Sequence, residues 1–388
     1  MTFKNIGTGF TLVALIAATS TTHGESLKGT RWRVNCNDGS PSLKKTLMHV
    51  APGDTVLVIG TCKERVSITV GPLTIDGVGN AILDGTGVPP DEAEFNGVLT
   101  VDGAQGVTIR RMTIRNGAGQ GILGLHGANM IVEKTVVEGF DPGPAIGLSN
   151  SAAELTDVTL RNNGLGIDAY SSSTVILHGE IDISQNQRGG LSLNINTTAE
   201  IRGANVHVDN NGGVGILVVG DSQLAFSGFD VSRGSSLSTS YNKGPGMLLD
   251  HGLLATPGSS LPPGDWVITS SGNGGPGFLL ASNGSMESPF GTARFVVEAN
   301  PVGIQLGQGS TAVIVGGLNV KNNTQAGVVA EDASLTLISI PPNASAIQGN
   351  GTADLALTFG ARSTIDGVQM GTMQCDATVL SRGTRICP

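Results

Sequence analysis

Residues 145–163 read AIGLSNSAAELTDVTLRNN, and this stretch carries the architecture of the chain in a single copy. A small residue opens it. Ile146 and Leu148 alternate with small neighbours, and a turn of Ser149, Asn150 and Ser151 follows. Leu155, Val158 and Leu160 then make a second alternating run that ends at Asn162 and Asn163. Period-two alternation places one face of an extended segment in a core and the other outside it.

The same phrase recurs on both sides of this stretch. It starts at Gly97, Gly121, Ala145, Gly166, Gly190, Gly215, Gly246, Gly277, Gly303, Gly327 and Ala353, and successive starts lie 21 to 31 residues apart. A short, regular period means a solenoid. One rung cannot bury its own apolar face, whereas stacked rungs can, each strand pairing in parallel with its equivalent one rung along. Helix formers at a 3.6 period are absent. The run Leu155-x-x-Val158-x-Leu160-x-x-Asn163 also fits a leucine-rich repeat. The second half of each repeat is another Gly-led strand rather than a helix, so the β-helix is preferred. Asparagines recur at the turn after the second strand: Asn116, Asn162 and Asn163, Asn186, Asn210 and Asn211, Asn273, Asn300, Asn322 and Asn323, and Asn350. Asparagine tolerates left-handed backbone and bonds locally, which predicts a stacked amide ladder with a structural role.

Residues 42–68, SLKKTLMHVAPGDTVLVIGTCKERVSI, and 73–85, LTIDGVGNAILDG, carry a resemblance. The chain resembles the right-handed parallel β-helix, or pectate-lyase-like, superfamily from about Ser40 to its C-terminus. The resemblance implies an all-β, single-stranded right-handed parallel β-helix solenoid with an N-terminal capping helix. That helix is expected over Ser42 to Val50, with Leu43, Leu47 and Val50 on one face. The domain boundaries expected are a signal peptide over 1–24, an N-terminal cap over 25–54, rungs over 55–352, and a last rung with a C-terminal cap over 353–388.

The first residues bear Lys4, a short apolar stretch from Thr11 to Ala18 and then small residues, the pattern of a secretory signal that is too short to span a membrane. The expected location is secreted, periplasmic or cell-surface after cleavage. Four cysteines agree with export: two local disulfides, Cys36–Cys62 and Cys375–Cys387, are favoured among three connectivities. Asn196, Asn283, Asn322, Asn343 and Asn350 begin glycosylation triplets. Four segments read as insertions between rungs: Thr86 to Asn96, Ser232 to Pro245, His251 to Asp265 and Asn283 to Thr292.

The 22 basic and 31 acidic residues give a net charge of −9, which argues against a nucleic-acid partner and against anionic membranes. Aromatic residues make up only 4% of the chain, which weakens a sugar-binding reading without removing it.

Equivalent residues on neighbouring rungs lie about 4.8 Å apart, so chemistry is sought down the rungs. One outward row reads Thr113, Val136, Thr159, Asp182, His207, Asp230, Val267, Val296 and Asn319. Asp182, His207 and Asp230 form a candidate catalytic cluster, since a histidine between carboxylates has the makings of a general acid or base. The three could also hold a divalent cation such as calcium; no cofactor is otherwise indicated. A neighbouring row, Arg115, Glu138, Arg161, Ser184 and Asp209, alternates in sign and reads as cross-strand ion pairs, as do Arg111, Lys134 and Asp157. On the first strand of each rung, the outward residues are read as Leu99 and Val101, Leu123 and Leu125, Gly147 and Ser149, Asp168 and Tyr170, Ser192 and Asn194, and Leu217 and Val219. Asp168, Tyr170, Ser192 and Asn194 make a polar island there, a candidate substrate-binding face bordered by His126 and Asn150. The superfamily's polysaccharide enzymes place their clefts outside a sheet of this kind.

No motif of pectate lyases, polygalacturonases or pectin methylesterases is present, and Asp141-Pro142-Gly143-Pro144 lacks the His and second Asp of the Asp-Pro-His-Asp motif of alginate epimerase relatives. The expected function is an exported protein that binds or modifies an extracellular polysaccharide, by lyase, epimerase or hydrolase chemistry if catalytic. The alternative is a non-enzymatic surface or adhesion scaffold with a cell-surface partner.

Overall fold

The structure is a computed structural model that describes residues 29–38, 42–89, 97–227, 234–256, 266–291, 293–340 and 343–383. The expected signal peptide lies outside these residues. The architecture is all-β. The described strands form two parallel sheets, one of 13 strands and one of 23. The rung quoted at the outset shows how they are connected. Its strand Pro144–Ser149 pairs in parallel with Gln120–Leu125 on one side and Leu165–Tyr170 on the other. A turn leads into Ala152–Arg161, which pairs with Thr174–Ser184 in the larger sheet.

The second strand is bent. Asp157 lies at φ 55°, and the register shifts between Thr156 and Val158. Arg111, Lys134, Gly179 and Gly203 take the same left-handed conformation on other rungs. The bend accounts for the three-residue step from Leu155 to Val158 that imitates a leucine-rich repeat: the strand turns a corner of the barrel, and both side chains still point inward. Ile146, Leu148, Leu155, Val158 and Leu160 are each at most 1% exposed. Full burial of one such side chain contributes about 1.5–3 kcal/mol, and only stacking makes it available.

The expected amide ladder is present, running through Asn163, Asn186, Asn211, Asn242, Asn273, Asn300, Asn323 and Asn350. All but Asn350 are at most 4% exposed. At each rung the backbone N–H and the side-chain Nδ2 both donate to Oδ1 of the next asparagine. For Asn211 onto Asn242 these bonds are 3.0 and 3.1 Å. The second Nδ2 hydrogen goes to a backbone carbonyl of a preceding strand, as from Asn242 to Val208 at 2.9 Å. Every donor and acceptor of the amide is thereby used. The ladder begins where the Phe140 N–H donates to Asn163 and ends where Asn350 donates to the Asp354 carboxylate, at 2.9 Å from N and 2.8 Å from Nδ2. Sequence reading omitted Asn242 and included Asn116, which instead sits at φ 51° in the turn. The ladder also explains the opening glycine: a Cβ on Gly215 would lie 2.6 Å from Nδ2 of Asn242, and one on Gly327 would lie 2.6 Å from Nδ2 of Asn350. Asn350 is committed to the ladder, so its glycosylation triplet has no free amide.

The N-terminal expectations need two corrections. Strand pairing begins earlier than residue 55, because Arg31–Asn35 pairs in parallel with Thr55–Ile59. The capping helix over Ser42 to Val50 is reduced to Leu43–Leu47, five residues capped by the Ser42 side chain. It sends Leu43 into the core, but one turn is too short to cover the barrel end in the manner expected. Asp54 secures this end, accepting from the Thr30 N–H at 2.6 Å, Trp32 Nε1 at 2.7 Å and the Ala51 N–H at 2.9 Å.

Three of the four insertion readings are narrowed. Ser236–Ser238 and Leu253–Ala255 are rung strands, paired on both sides. The extra length therefore falls at 228–233 and 257–265, outside the described residues. Ser285–Ser288 is likewise a regular rung strand, and the extra length of that segment falls between Ser288 and Arg294, where five residues stand against the two between Ile314 and Gly317. The segment 86–96 is described only as far as residue 89. At the C-terminal end the pairing stays in register: Arg362–Asp366 pairs with Leu380–Gly383, and Ala353–Thr358 pairs with Met373–Cys375.

Cys36 and Cys62 form the expected disulfide. Cys375 is disulfide-bonded, and its expected partner Cys387 lies outside the described residues. No described helix is long and apolar enough to cross a membrane.

Candidate functional site

On the outer face of the 13-stranded sheet, Thr100, Leu123, Gly147, Asp168, Ser192 and Leu217 stand in one row, each one rung from the next. Ser149, Tyr170, Asn194 and Val219 stand in the row beside it. The four residues of the expected polar island are therefore brought together. Asn194 Nδ2 donates to Ser192 Oγ at 2.8 Å and to Asp168 Oδ1 at 3.3 Å. Burial pushes the Asp168 carboxyl above the usual carboxylate range, against the opposing pull of the Arg188 charge and the Ser192 hydroxyl. A carboxyl shifted in that direction gives up its proton less readily than an ordinary one, which suits a proton donor.

One rung was misread. Gly97 pairs with Gln120 rather than Gly121, so Leu99 and Val101 point inward and are fully buried, while Thr100 and Asp102 point outward. A slip of one residue exchanges the faces of a strand. His126, at the border of the island, bonds Asp102 through Nδ1 at 2.6 Å, and both are exposed.

Two residues of this face, Gln120 and Arg188, escaped the sequence reading, and Gly147 was read only as an outward position. Gln120 carries a buried Oε1 that accepts no hydrogen bond. Gly147 lies beneath that amide: a Cβ there would be 1.5 Å from Gln120 Oε1. Arg188 supplies the positive charge beside Asp168, and its Nη2 donates to the Pro142 carbonyl at 2.5 Å. A bare glycine at an outward position, between rungs that carry side chains, was the available signal.

The second cluster does not assemble as expected. Asp182 and His207 are neighbours in register, but His207 is followed on the next rung by Ser238. Asp230 lies outside the described residues and is not the register partner. Thr269 likewise replaces Val267 in this row. The text Phe229-Asp230-Val231 imitates the apolar-x-apolar pattern, yet the true strand arrives later at Ser236–Ser238. The carboxylate near His207 is Asp209, 3.7 Å from Nδ1 and already bonded to Ser238 Oγ and the Ser240 N–H. Among the described residues, one grouping has metal-ligand spacing, Cys36, Cys62 and Glu64, and its cysteines are the disulfide.

The charged rows pair only in part: among the described residues no ion pair joins Arg111, Lys134 and Asp157, and Arg115 and Arg111 find aspartates outside the rows. Arg161 bonds Glu138 at 2.9 Å, Arg115 bonds Asp84 at 3.0 Å, and Arg110 and Arg111 converge on Asp76. A cavity of about 340 Å³ lies elsewhere, over Ser334, Thr336, Arg362, Thr364 and Leu380, and among the described residues no acid or histidine lines it.

Residues 96–236 match the family model described as "Right handed beta helix region". The chain is a right-handed parallel β-helix. No curated protein matches it. Among solved structures it is similar to the A-module of the mannuronan C-5 epimerase AlgE6 of Azotobacter vinelandii, at 14% identity and a TM-score of 0.40, over 85% of this chain and 91% of that one. It is also similar to a GH136 lacto-N-biosidase of Eubacterium ramulus, at 11% identity and a TM-score of 0.32, over 92% of this chain and 68% of that one. An alginate lyase of a Paenibacillus species shares 12% identity at a TM-score of 0.26, over 90% of this chain and 99% of that one. At such distances the named activities are not transferred.

Proposed function

We propose that this β-helix is an exported protein that binds an extracellular carbohydrate on the outer face of its 13-stranded sheet, centred on Asp168. The observation that carries the reading is the convergence of a desolvated carboxyl, an amide and two hydroxyls on two adjoining rungs, with apolar rungs such as Leu217 beside them. Short-range donors and acceptors next to an apolar surface suit a sugar ring, which has hydroxyls at its edge and C–H groups on its faces. The Cys36–Cys62 disulfide fits an oxidising compartment. If bound glycan is cleaved or epimerised, Asp168 is the candidate proton donor. The scaffold alternative draws on the low aromatic content of 4%.

The test is a glycan-array screen of the secreted, oxidised protein, with and without calcium, followed by sizing of products from each hit. Binding that Asp168→Ala abolishes and His207→Ala and Asp182→Ala leave intact supports the reading, and chain shortening makes the protein an enzyme. Absence of binding to any glycan overturns the carbohydrate reading and leaves the scaffold reading ahead.

A further inference from the structure

The turn that carries the asparagine ladder holds one residue out of pattern. The position before each ladder asparagine is left-handed, and Asn162, Gln185, Asn210, Gly272, Ala299 and Asn322 occupy it at φ between 56° and 65°. Glycine, small and amide residues suit that conformation. Tyr241 occupies it at φ 57°. A bulky side chain is strained there, and burial does not offset the strain, since Tyr241 is 64% exposed. Among the described residues its hydroxyl has no hydrogen-bond partner. The ring is nevertheless held in place. It rests on the bare backbone of the next rung, where a Cβ on Gly272 would lie 2.7 Å from Tyr241 Cε1 and 2.8 Å from Cδ1. The surface beside it is stripped of side chains by Gly212 and Gly213 on the rung before and Gly274 and Gly275 on the rung after. A Cβ on Gly212 would lie 1.9 Å from the Gln187 carbonyl oxygen, and one on Gly274 2.3 Å from that of Lys243. Lys243, two residues past Tyr241, is exposed and makes no ion pair among the described residues.

We propose that Tyr241 is the stacking platform of a second saccharide site, at the asparagine corner, with Lys243 as a hydrogen-bond donor at its rim. The inference rests on the reading of the ligand as a carbohydrate, but not on Asp168. A tyrosine has an apolar body and a polar tip. Its ring packs against the C–H face of a sugar, and its hydroxyl and the Lys243 ammonium reach the hydroxyls at the sugar's edge. A strained residue that serves neither the core nor the ladder is thereby given a use. A protein partner fits less well, because a stable interface covers about 800 Å² on each side, and one ring among glycines presents no such apolar area. The low aromatic content does not weigh against the site. Of the two tryptophans and two tyrosines, Trp32 and Trp266 pack against the core and Tyr170 stands on the Asp168 face, which leaves Tyr241 for the corner.

The test titrates the full-length oxidised protein with cello-, manno-, xylo- and chito-oligosaccharides and with oligomannuronate in a calorimeter. Tyrosine nitration by tetranitromethane is then followed by peptide mass spectrometry with and without each sugar that binds. A bound sugar is expected to slow nitration of Tyr241 in proportion to occupancy. Tyr241→Phe should keep the stacking and bind. Tyr241→Asn, which restores a residue type of the row, should weaken binding about tenfold or, where the Asp168 face takes the same sugar, remove one of two binding events. Its thermal midpoint should not fall, because the strain is removed; a merely structural tyrosine would show the reverse, a lowered midpoint with unchanged binding. A sugar that binds and leaves Tyr241 nitration unchanged, or binding undiminished in Tyr241→Asn, overturns this inference and leaves the Asp168 reading standing. A wild type that binds none of the sugars removes both.

Discussion

The asparagine turn and the outer face of the 13-stranded sheet are built on the same rungs and behave in opposite ways. At the turn, eight successive rungs from Asn163 to Asn350 carry one residue type, and all its hydrogen-bonding capacity is spent within the protein. On the face, the row changes from Leu123 to Gly147 to Asp168 to Ser192 to Leu217 over five rungs, and it contains an orphaned acceptor and a carboxyl burdened by burial. Repetition with complete satisfaction marks what a solenoid needs in order to stand. A break in the repetition with incomplete satisfaction marks what it offers to a partner.

The ladder is where the contrast can be broken most severely. Asn242→Ala leaves the Val208 carbonyl, the Asn211 N–H and one of the two Nδ2 hydrogens of Asn211 without partners, while the other keeps the Ile183 carbonyl. At about 1–3 kcal/mol for each buried orphan, the expected loss is about 3 kcal/mol or more, read as a lowered midpoint in urea or heat. Asp168→Ala should do the reverse, costing little stability and reducing glycan binding at least tenfold in an affinity measurement.

Acid sharpens the same comparison. Burial alone would raise the Asp354 carboxyl, but the bonds from Asn350 and Thr372 outweigh it and hold the group below the usual carboxylate range. Its contribution is therefore complete above the unfolded-state value and is lost as pH falls through the lowered folded-state value. Asp354→Asn should be less stable than wild type at neutral pH, with the gap closing in acid. Asp168 has the opposite sign: its raised value favours the protonated native state, so wild type should lose stability relative to Asp168→Asn as pH rises through the folded-state value. The smallest effect is expected at the surface, where Arg161→Ala breaks the partly exposed pair with Glu138 and should change stability by under about 1 kcal/mol.

The difference between the two regions also decided how far the sequence could be read. The solenoid, its parallel pairing and the ladder were legible because period-two alternation and recurring asparagine are local patterns. The polar island was legible because Gly166 and Gly190 share one register, so Asp168, Tyr170, Ser192 and Asn194 aligned without a slip. The Asp182, His207 and Asp230 cluster failed at its third member because the extra residues at 228–233 delay the next strand to Ser236, and letters within a single rung do not count inserted residues. The capping helix was read too long because apolar spacing continues from Leu47 to Val50, while the backbone leaves the helix after Leu47. Gln120 and Gly147 were not legible because their relation is diagonal across two rungs, and only coordinates bring them together.

The central claim is that the face around Asp168, rather than the one around His207, receives the ligand. The most direct measurement is a hydrogen-exchange footprint of the protein with and without a saturating oligosaccharide from the array. The account predicts added protection across 120–125, 144–149, 165–170 and 189–194, with 174–184 and 198–207 unchanged. Protection confined to the latter strands, or none anywhere under saturation, would contradict it.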